Sequence, residues 1–290
     1  MYPRRLAILA LAFACALPAQ DSAAALLAKA TAAYRRNLDN EKHWNWDIVE
    51  TRRLLGRSGD VLQTFPSVTS ESVIATNGRR CNAVTAWGDG RQPFLKDASP
   101  DARCQAYSAI AMPFDISLLL ASTHATLAPS SGGTVAITIA PVSAPHPAPY
   151  AVRCAASIQA TVHLDPATFH PTLIEGRVAG SGCNATFQPS LHFESLTREP
   201  LITQFRAGAT FRIVYGLQKD KFDNPANSFW LITEQHYDYP WRNSSAVLYY
   251  WGRELPVNVA RASRLVRNAR ITAREFGAGS LIRFDRDPPQ

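Results

Sequence analysis

The stretch Ile158–Val178 reads I-Q-A-T-V-H-L, then D-P-A-T-F-H-P, then T-L-I-E-G-R-V. In its first arm Ile158, Ala160, Val162 and Leu164 share one face, and Gln159, Thr161 and His163 the other. The second arm repeats the pattern, with Thr172, Ile174, Gly176 and Val178 opposed to Leu173, Glu175 and Arg177. Successive Cβ atoms of a strand point to opposite faces of a sheet, so a period of two marks a half-buried strand. Asp165-Pro166 opens the turn and His170-Pro171 closes it, because proline fixes φ and moves the preceding residue out of the helical region. The stretch is a β-hairpin with a loop of several residues.

Working outward, the same signal recurs on both sides. Upstream, strands are expected from Trp44, at Val61–Phe65, Ser67–Ala75, Asn82–Trp87 and Thr134–Ala140. Arg57-Ser58-Gly59-Asp60, Asn77-Gly78 and Gly88-Asp89-Gly90 supply turns between the early ones. Downstream, alternation returns at Leu191–Leu196, Thr210–Tyr215, Ser228–Tyr239, Ala246–Trp251 and Ser280–Phe284. A basic stretch from Val257 to Ile271 precedes the last of these. Asp21–Leu38 reads as a helix with Ser22 as its cap, and Ile116, Leu119 and Leu120 begin a second one after Pro113-Phe114-Asp115. Ala128–Pro149, rich in Pro, Ser, Ala and Gly, reads as an excursion from a single domain covering 21–285, with 286–290 a frayed tail.

A long antiparallel meander must curl or be covered to protect its edges. About ten strands with two helices therefore predict a mainly β (α+β) fold. Its form is a strongly curved, incompletely closed antiparallel β-barrel with helices packed inside it or across its mouth.

The N-terminus gives the compartment. Arg4 and Arg5, an apolar run Leu6–Leu17 and Pro18-Ala19-Gln20 have the form of a secretory signal peptide over residues 1–20. Export to the periplasm or cell envelope follows, with anchoring through an acylated Cys15 as the alternative. Beyond the signal remain Cys81, Cys104, Cys154 and Cys183, an even count that suggests disulfides and admits three connectivities. Sequence proximity favours Cys81–Cys104 and Cys154–Cys183. Formal net charge is +7, or +5 without Arg4 and Arg5, and the basic residues are mostly scattered. Such a surplus fits a solvated surface or weak attraction to an anionic membrane better than nucleic-acid binding, for which an exported chain has little occasion.

Catalytic signals are sparse. Gly180-Ser181-Gly182 is not a nucleophile elbow, since Ala179 stands where glycine is needed. No H-E-x-x-H, phosphate-cradling loop or dinucleotide fingerprint occurs, and no cofactor is implied. Glu234, His236 and Asp238 share one strand face and have the chemistry of a metal or acid–base site, but a solvated polar face of a strand is the favoured reading.

The elements arrive in a suggestive order: a leading helix, a meander holding T-N-G-R-R (76–80) and W-G-D-G (87–90), a central helix, then V-H-L-D-P-A-T-F-H-P-T-L-I-E (162–175) and further strands. In this order, over roughly residues 22–285, the chain resembles the LolA/LppX-like superfamily of cell-envelope lipoprotein carriers. Segments near 90–110, 128–150 and 218–226 are additional to the compact carriers. The resemblance implies a non-enzymatic carrier of an acyl chain, lipid or lipoprotein anchor, held in an apolar cavity between sheet and helices. Transient contact with a membrane and an envelope protein partner belong to the same expectation. Candidate wall residues are Trp44, Trp46, Phe211, Tyr215, Phe229, Leu231, Tyr249 and Trp251, since aromatic side chains give rigid apolar area. The alternatives are a structural or interaction module of the envelope with a filled core, offering a basic patch around Arg261–Arg274, and an exported hydrolase or metal enzyme using Glu234, His236 and Asp238.

Overall fold

The computed structural model describes residues 22–41, 44–74, 76, 80–92, 99–102, 116–121, 124–128, 135–144, 147–184, 206–219, 228–241, 247–250, 253–256 and 261–274. The segments read as a signal peptide (1–20), as a tail (286–290) and as strands at Leu191–Leu196 and Ser280–Phe284 lie outside them. Three α-helices are described: α1 (Ala23–Glu41), α2 (Ile116–Leu120) and α3 (Tyr150–Ala156). The strands are β1 (Asn45–Gly56), β2 (Val61–Thr64), β3 (Val68–Ile74), β4 (Arg80–Trp87), β5 (Ala125–Leu127), β6 (Val135–Ile139), β7 (Ile158–Leu164), β8 (Pro171–Val178), β9 (Thr210–Gln218), β10 (Phe229–Pro240), β11 (Val247–Tyr250), β12 (Arg253–Pro256) and β13 (Ala262–Arg274).

The β7–β8 hairpin forms as its pattern requires. Ile158 pairs with Val178 and Val162 with Ile174, and along β7 buried and half-buried residues alternate without a break. Asp165 Oδ1 accepts the backbone N–H groups of Ala167 at 3.2 Å and Thr168 at 2.7 Å, which shapes the turn. Phe169 leaves the turn at φ +59°, a conformation a bulky residue rarely adopts. The ladder slips between His163 and Leu164, where Pro171 opens β8 without a backbone donor.

Eleven strands form one antiparallel sheet in the order β4-β3-β1-β13-β10-β9-β8-β7-β6-β5, with β2 paired to β1. The last described strand thus sits between β1 and β10, and its register runs unbroken from Asn45↔Arg274 to Leu55↔Arg264. The end strands β4 and β5 follow one another in the chain but are not bonded to each other, so the strongly curved sheet stays unclosed. β11 and β12 pair separately. The concave face of β6–β9 is apolar: Ile137, Ile139, Val162, Ile174 and Ile213 are buried there against Leu26, Leu27 and Ala30 of α1 and Leu119 and Leu120 of α2.

Four local readings change. The second helix ends at Leu120, and Ala125–Leu127 pairs with β6 instead, its threonine-containing sequence suiting a strand. A third helix, α3, follows directly on Pro149, whose fixed φ suits a helix start. The basic stretch is a thirteen-residue strand, β13, at the centre of the sheet. In β10 the ladder to β9 shifts between Ile232 and Glu234, and an extra residue reverses the alternation. Phe229 and Leu231 consequently join a small second cluster with Trp44 and Ile271, whereas Tyr237 belongs to the main core.

Candidate functional site

Helix α1 is the lid of the concave face. Ser22 caps it, its Oγ accepting the Ala25 N–H at 3.2 Å. It touches β5 and β6 at one end of the sheet, β10 in the middle, and α2. The apolar side chains it buries are modest ones: Leu26, Leu27, Ala30 and Ala33. Thr31 Oγ1 donates within 3.0 Å of the Leu120 carbonyl, joining α1 to α2.

The main tie between lid and sheet is polar. Asn37 is buried, its Nδ2 donates to the Trp230 carbonyl at 2.8 Å, and its Oδ1 accepts the Trp230 N–H at 2.6 Å. β13 pairs with β10 only over Glu234–Pro240, so Trp230 lies beyond that ladder. The carboxamide presents one donor and one acceptor, as a neighbouring strand would, and so completes the pairing of both backbone groups of Trp230. Asn40 adds a bond to the Ser228 carbonyl at 3.3 Å.

Beside this tie lies an aromatic box. His170, 1% exposed, stacks on Trp230 with ring centres 5.3 Å apart. It meets Tyr215 edge-on at 5.2 Å and Tyr34 of α1 at 6.1 Å. His170 Nδ1 donates to the Pro171 carbonyl at 2.7 Å, which leaves Nε2 as a buried acceptor with no hydrogen-bond partner. Burial pushes the imidazole down to about 4, against the Pro171 bond and the Asp165 charge. Lys29 of α1 sits over the Phe169 ring at 4.6 Å, a cation–π contact between lid and hairpin loop.

The other half of the concave face is charged. Glu50 Oε1 accepts Arg52 Nε at 2.7 Å, and Glu50 Oε2 lies 2.6 Å from Arg267 Nη2. All three side chains are buried, beside the stacked rings of Tyr237 and Tyr239. Burial alone would raise the Glu50 carboxyl, but the Arg267 and Arg52 guanidiniums outweigh it and hold the group below its ordinary value. Burial likewise raises Tyr237 well above the ordinary phenol value and Tyr239 to about 12, so both rings stay neutral. On the outer face of β6–β9 lies a shallow groove of about 340 Å³, lined in part by Gln159, Glu175 and Arg177.

No protein-family model matches the sequence, and no curated protein does. Solved structures similar to the chain include a LolA superfamily protein from Nitrosomonas europaea, at 9% identity and a TM-score of 0.33, covering 91% of this chain and 97% of that one. A domain named for outer membrane lipoprotein sorting, from Vibrio parahaemolyticus, is 8% identical with a TM-score of 0.31 and coverages of 89% and 98%. A DUF1329 family protein from Desulfovibrio piger is 10% identical with a TM-score of 0.34 and coverages of 89% and 95%. The likeness is one of fold alone. Nothing about ligand or partner follows from it.

The residues expected as cavity wall fall into separate places. Phe211 and Tyr215 are buried in the main core under the lid, and Tyr215 forms one side of the His170 box. Trp44, Phe229 and Leu231 make up the small second cluster, against which Trp46 packs. Tyr249 lies in β11, and Trp251 is outside the described residues. Cys154 and Cys183 are disulfide-bonded, fastening α3 to the short 3-10 turn Ser181–Cys183 after β8. Cys81 lies in β4, but Cys104 falls outside the described residues, and with it the pair proposed for them.

Glu234, His236 and Asp238 are engaged separately. Glu234 lies 3.8 Å from Arg212, His236 Nδ1 lies 2.7 Å from Asn268 Oδ1, and Asp238 accepts Arg264 Nε at 2.9 Å. Among the described residues no group of three His, Cys, Asp or Glu side chains is placed to hold a metal ion. The expected basic patch is divided by the pleat: Arg264 and Arg270 point to solvent, and Arg267 points into the core. Asn37, His170, Glu50, Arg52 and Arg267 carry the site's polar geometry, and none was singled out for it from sequence. The one available signal was the alternation Leu265, Arg267, Ala269, Ile271, which places an arginine in a buried phase.

Proposed function

We propose that the chain is an exported, non-enzymatic carrier or binding protein of the cell envelope. It takes an acyl chain, lipid or lipoprotein anchor between the concave face of the sheet and α1. The observation that carries this reading is the pairing of an apolar concave face with a lid that covers it through few apolar side chains and the polar ties Asn37–Trp230 and Asn40–Ser228.

Magnitudes favour exchange of lid contacts for a guest. Burying an acyl chain of about sixteen carbons gains on the order of 12 kcal/mol, at about 0.8 kcal/mol for each methylene. Two leucines and two alanines withdrawn from the core cost roughly half of that. The difference remains to offset lost polar contacts and the entropy of binding. Because no bond is made, release to a partner needs only a competing apolar site.

The reading in which the interior is simply a filled core draws on the same packing of Leu119 and Leu120, both fully buried under the sheet. Extraction of the purified protein with organic solvent, followed by mass spectrometry, separates the two. A carrier yields a lipid in a fixed ratio to protein, or takes up a fluorescent fatty acid once stripped. A protein that is lipid-free and also refuses the fatty acid is an interaction module instead.

A further inference from the structure

The inner face of the sheet changes character from one half to the other. From β6 to β9 it is lined by Ile137, Ile139, Val162, Ile174 and Ile213, whereas on β3, β1 and β13 it carries Ser70, Glu50, Arg52 and Arg267, all buried. Strands lie about 4.8 Å apart, so from β9 across β10 and β13 to β1 is about 14 Å along the sheet. That is within the length of one acyl chain. The polarity of this surface is that of an amphiphile with an anionic end.

A buried donor on the charged half, Arg267 Nε, has no acceptor. Arg267 is 5% exposed. Buried polar groups are ordinarily satisfied, and ions are seldom placed in a core that needs only stability, because their desolvation offsets their attraction. Arg267 Nη2 is already turned to Glu50, which keeps the guanidinium fixed while its Nε edge remains to donate. A carboxylate or phosphate supplies the oxygens such an edge binds.

We propose that Glu50, Arg52 and Arg267 form a headgroup anchor, which makes the preferred ligand an amphiphile with an anionic head, carboxylate or phosphate. The proposal rests on the carrier reading and gives it a ligand class. In the bound state the tail lies along β7–β9 under α1 and the head reaches β1 and β13, where Arg267 Nε donates to its oxygens. Glu50 holds Arg52 and Arg267 in place for it.

The test is competition against a fluorescent fatty acid on the signal-free chain, using hexadecanoate, hexadecyl phosphate, hexadecanol and inorganic phosphate. Both anionic amphiphiles are expected to bind about tenfold or more tighter than the alcohol, the scale of a charge-assisted hydrogen bond. The stronger of the two identifies the head as carboxylate or phosphate, and inorganic phosphate alone is expected not to compete. Arg267→Met should bring the anions to the level of the alcohol while the alcohol's affinity stays unchanged. Should that variant fail to fold, Arg267→Lys keeps the charge beside Glu50 but lacks the Nε donor, and should weaken only the anions, by a few-fold. Equal binding of alcohol and acid by the unaltered protein would overturn the anchor and leave the carrier reading standing. Binding of none of the amphiphiles would overturn both.

Discussion

Asn37 shows how one side chain can decide whether a helix behaves as a lid. Its carboxamide satisfies both the N–H and the carbonyl of Trp230, backbone groups that β13 does not reach. Asn37→Leu keeps the branched shape and removes both bonds, leaving two part-buried backbone groups unpaired. The expected cost is about 2–3 kcal/mol, read as a lower urea midpoint at unchanged slope. An unchanged midpoint would mean that water replaces the carboxamide without loss. His170 makes a second prediction at this scale. The folded ring, pushed down to about 4, stays neutral where the unfolded chain, near 6.5, takes up a proton. Stability from the neutral ring is therefore complete above about pH 6.5 and declines as pH falls towards about 4, by about 3 kcal/mol at most. The charged groups that bear on the ring are Asp165 in its own loop and, over neighbouring Phe169, Lys29 of α1. Urea midpoints across that window should fall steeply for the unaltered protein and be flatter for His170→Phe, which keeps the stack on Trp230.

Among the elements, the β7–β8 hairpin is pinned from outside as well as by its own register. Cys154 in α3 and Cys183 in the turn after β8 close a loop across a separation of 29 residues. Loop entropy assigns such a crosslink about 3–4 kcal/mol. Thermal unfolding with reductant, or of the Cys154→Ser, Cys183→Ser double variant, should show a clearly lowered midpoint; an unmoved one would mean the packing of α3 alone fixes this corner. The hairpin was legible in the sequence because one face of each arm is buried and the other solvated, which alternation reports directly. β13 was not. Its arginines at 264, 267, 270 and 274 recur mostly every three residues and obscure a period of two, and the buried phase contains Arg267 itself. The reversal in β10 was equally hidden, since a one-residue bulge leaves no compositional mark between Ile232 and Glu234. Helix α3, seven residues long, is too short for helical periodicity to register.

For the whole molecule, the order of strands explains how an open sheet stays coherent. β13 lies between β1 and β10, so the early and late parts of the described chain join at the centre and the loose ends, β4 and β5, are consecutive strands. The architecture could be anticipated because the number of strands and the need to protect edges leave few arrangements. The candidate site could be anticipated only in part. Phe211 and Tyr215 are buried in the main core, but the polar groups that tie and charge the concave face look, in sequence, like ordinary surface residues. Which face takes the guest is the central matter, and covalent mapping decides it. A fatty acid bearing a diazirine near its tail, photolysed on the lipid-stripped protein and located by peptide mass spectrometry, should label α1 around Leu27–Tyr34 together with β9 around Phe211–Tyr215. Labelling confined to the outer groove at Gln159, Glu175 and Arg177, or absent altogether, would contradict the account.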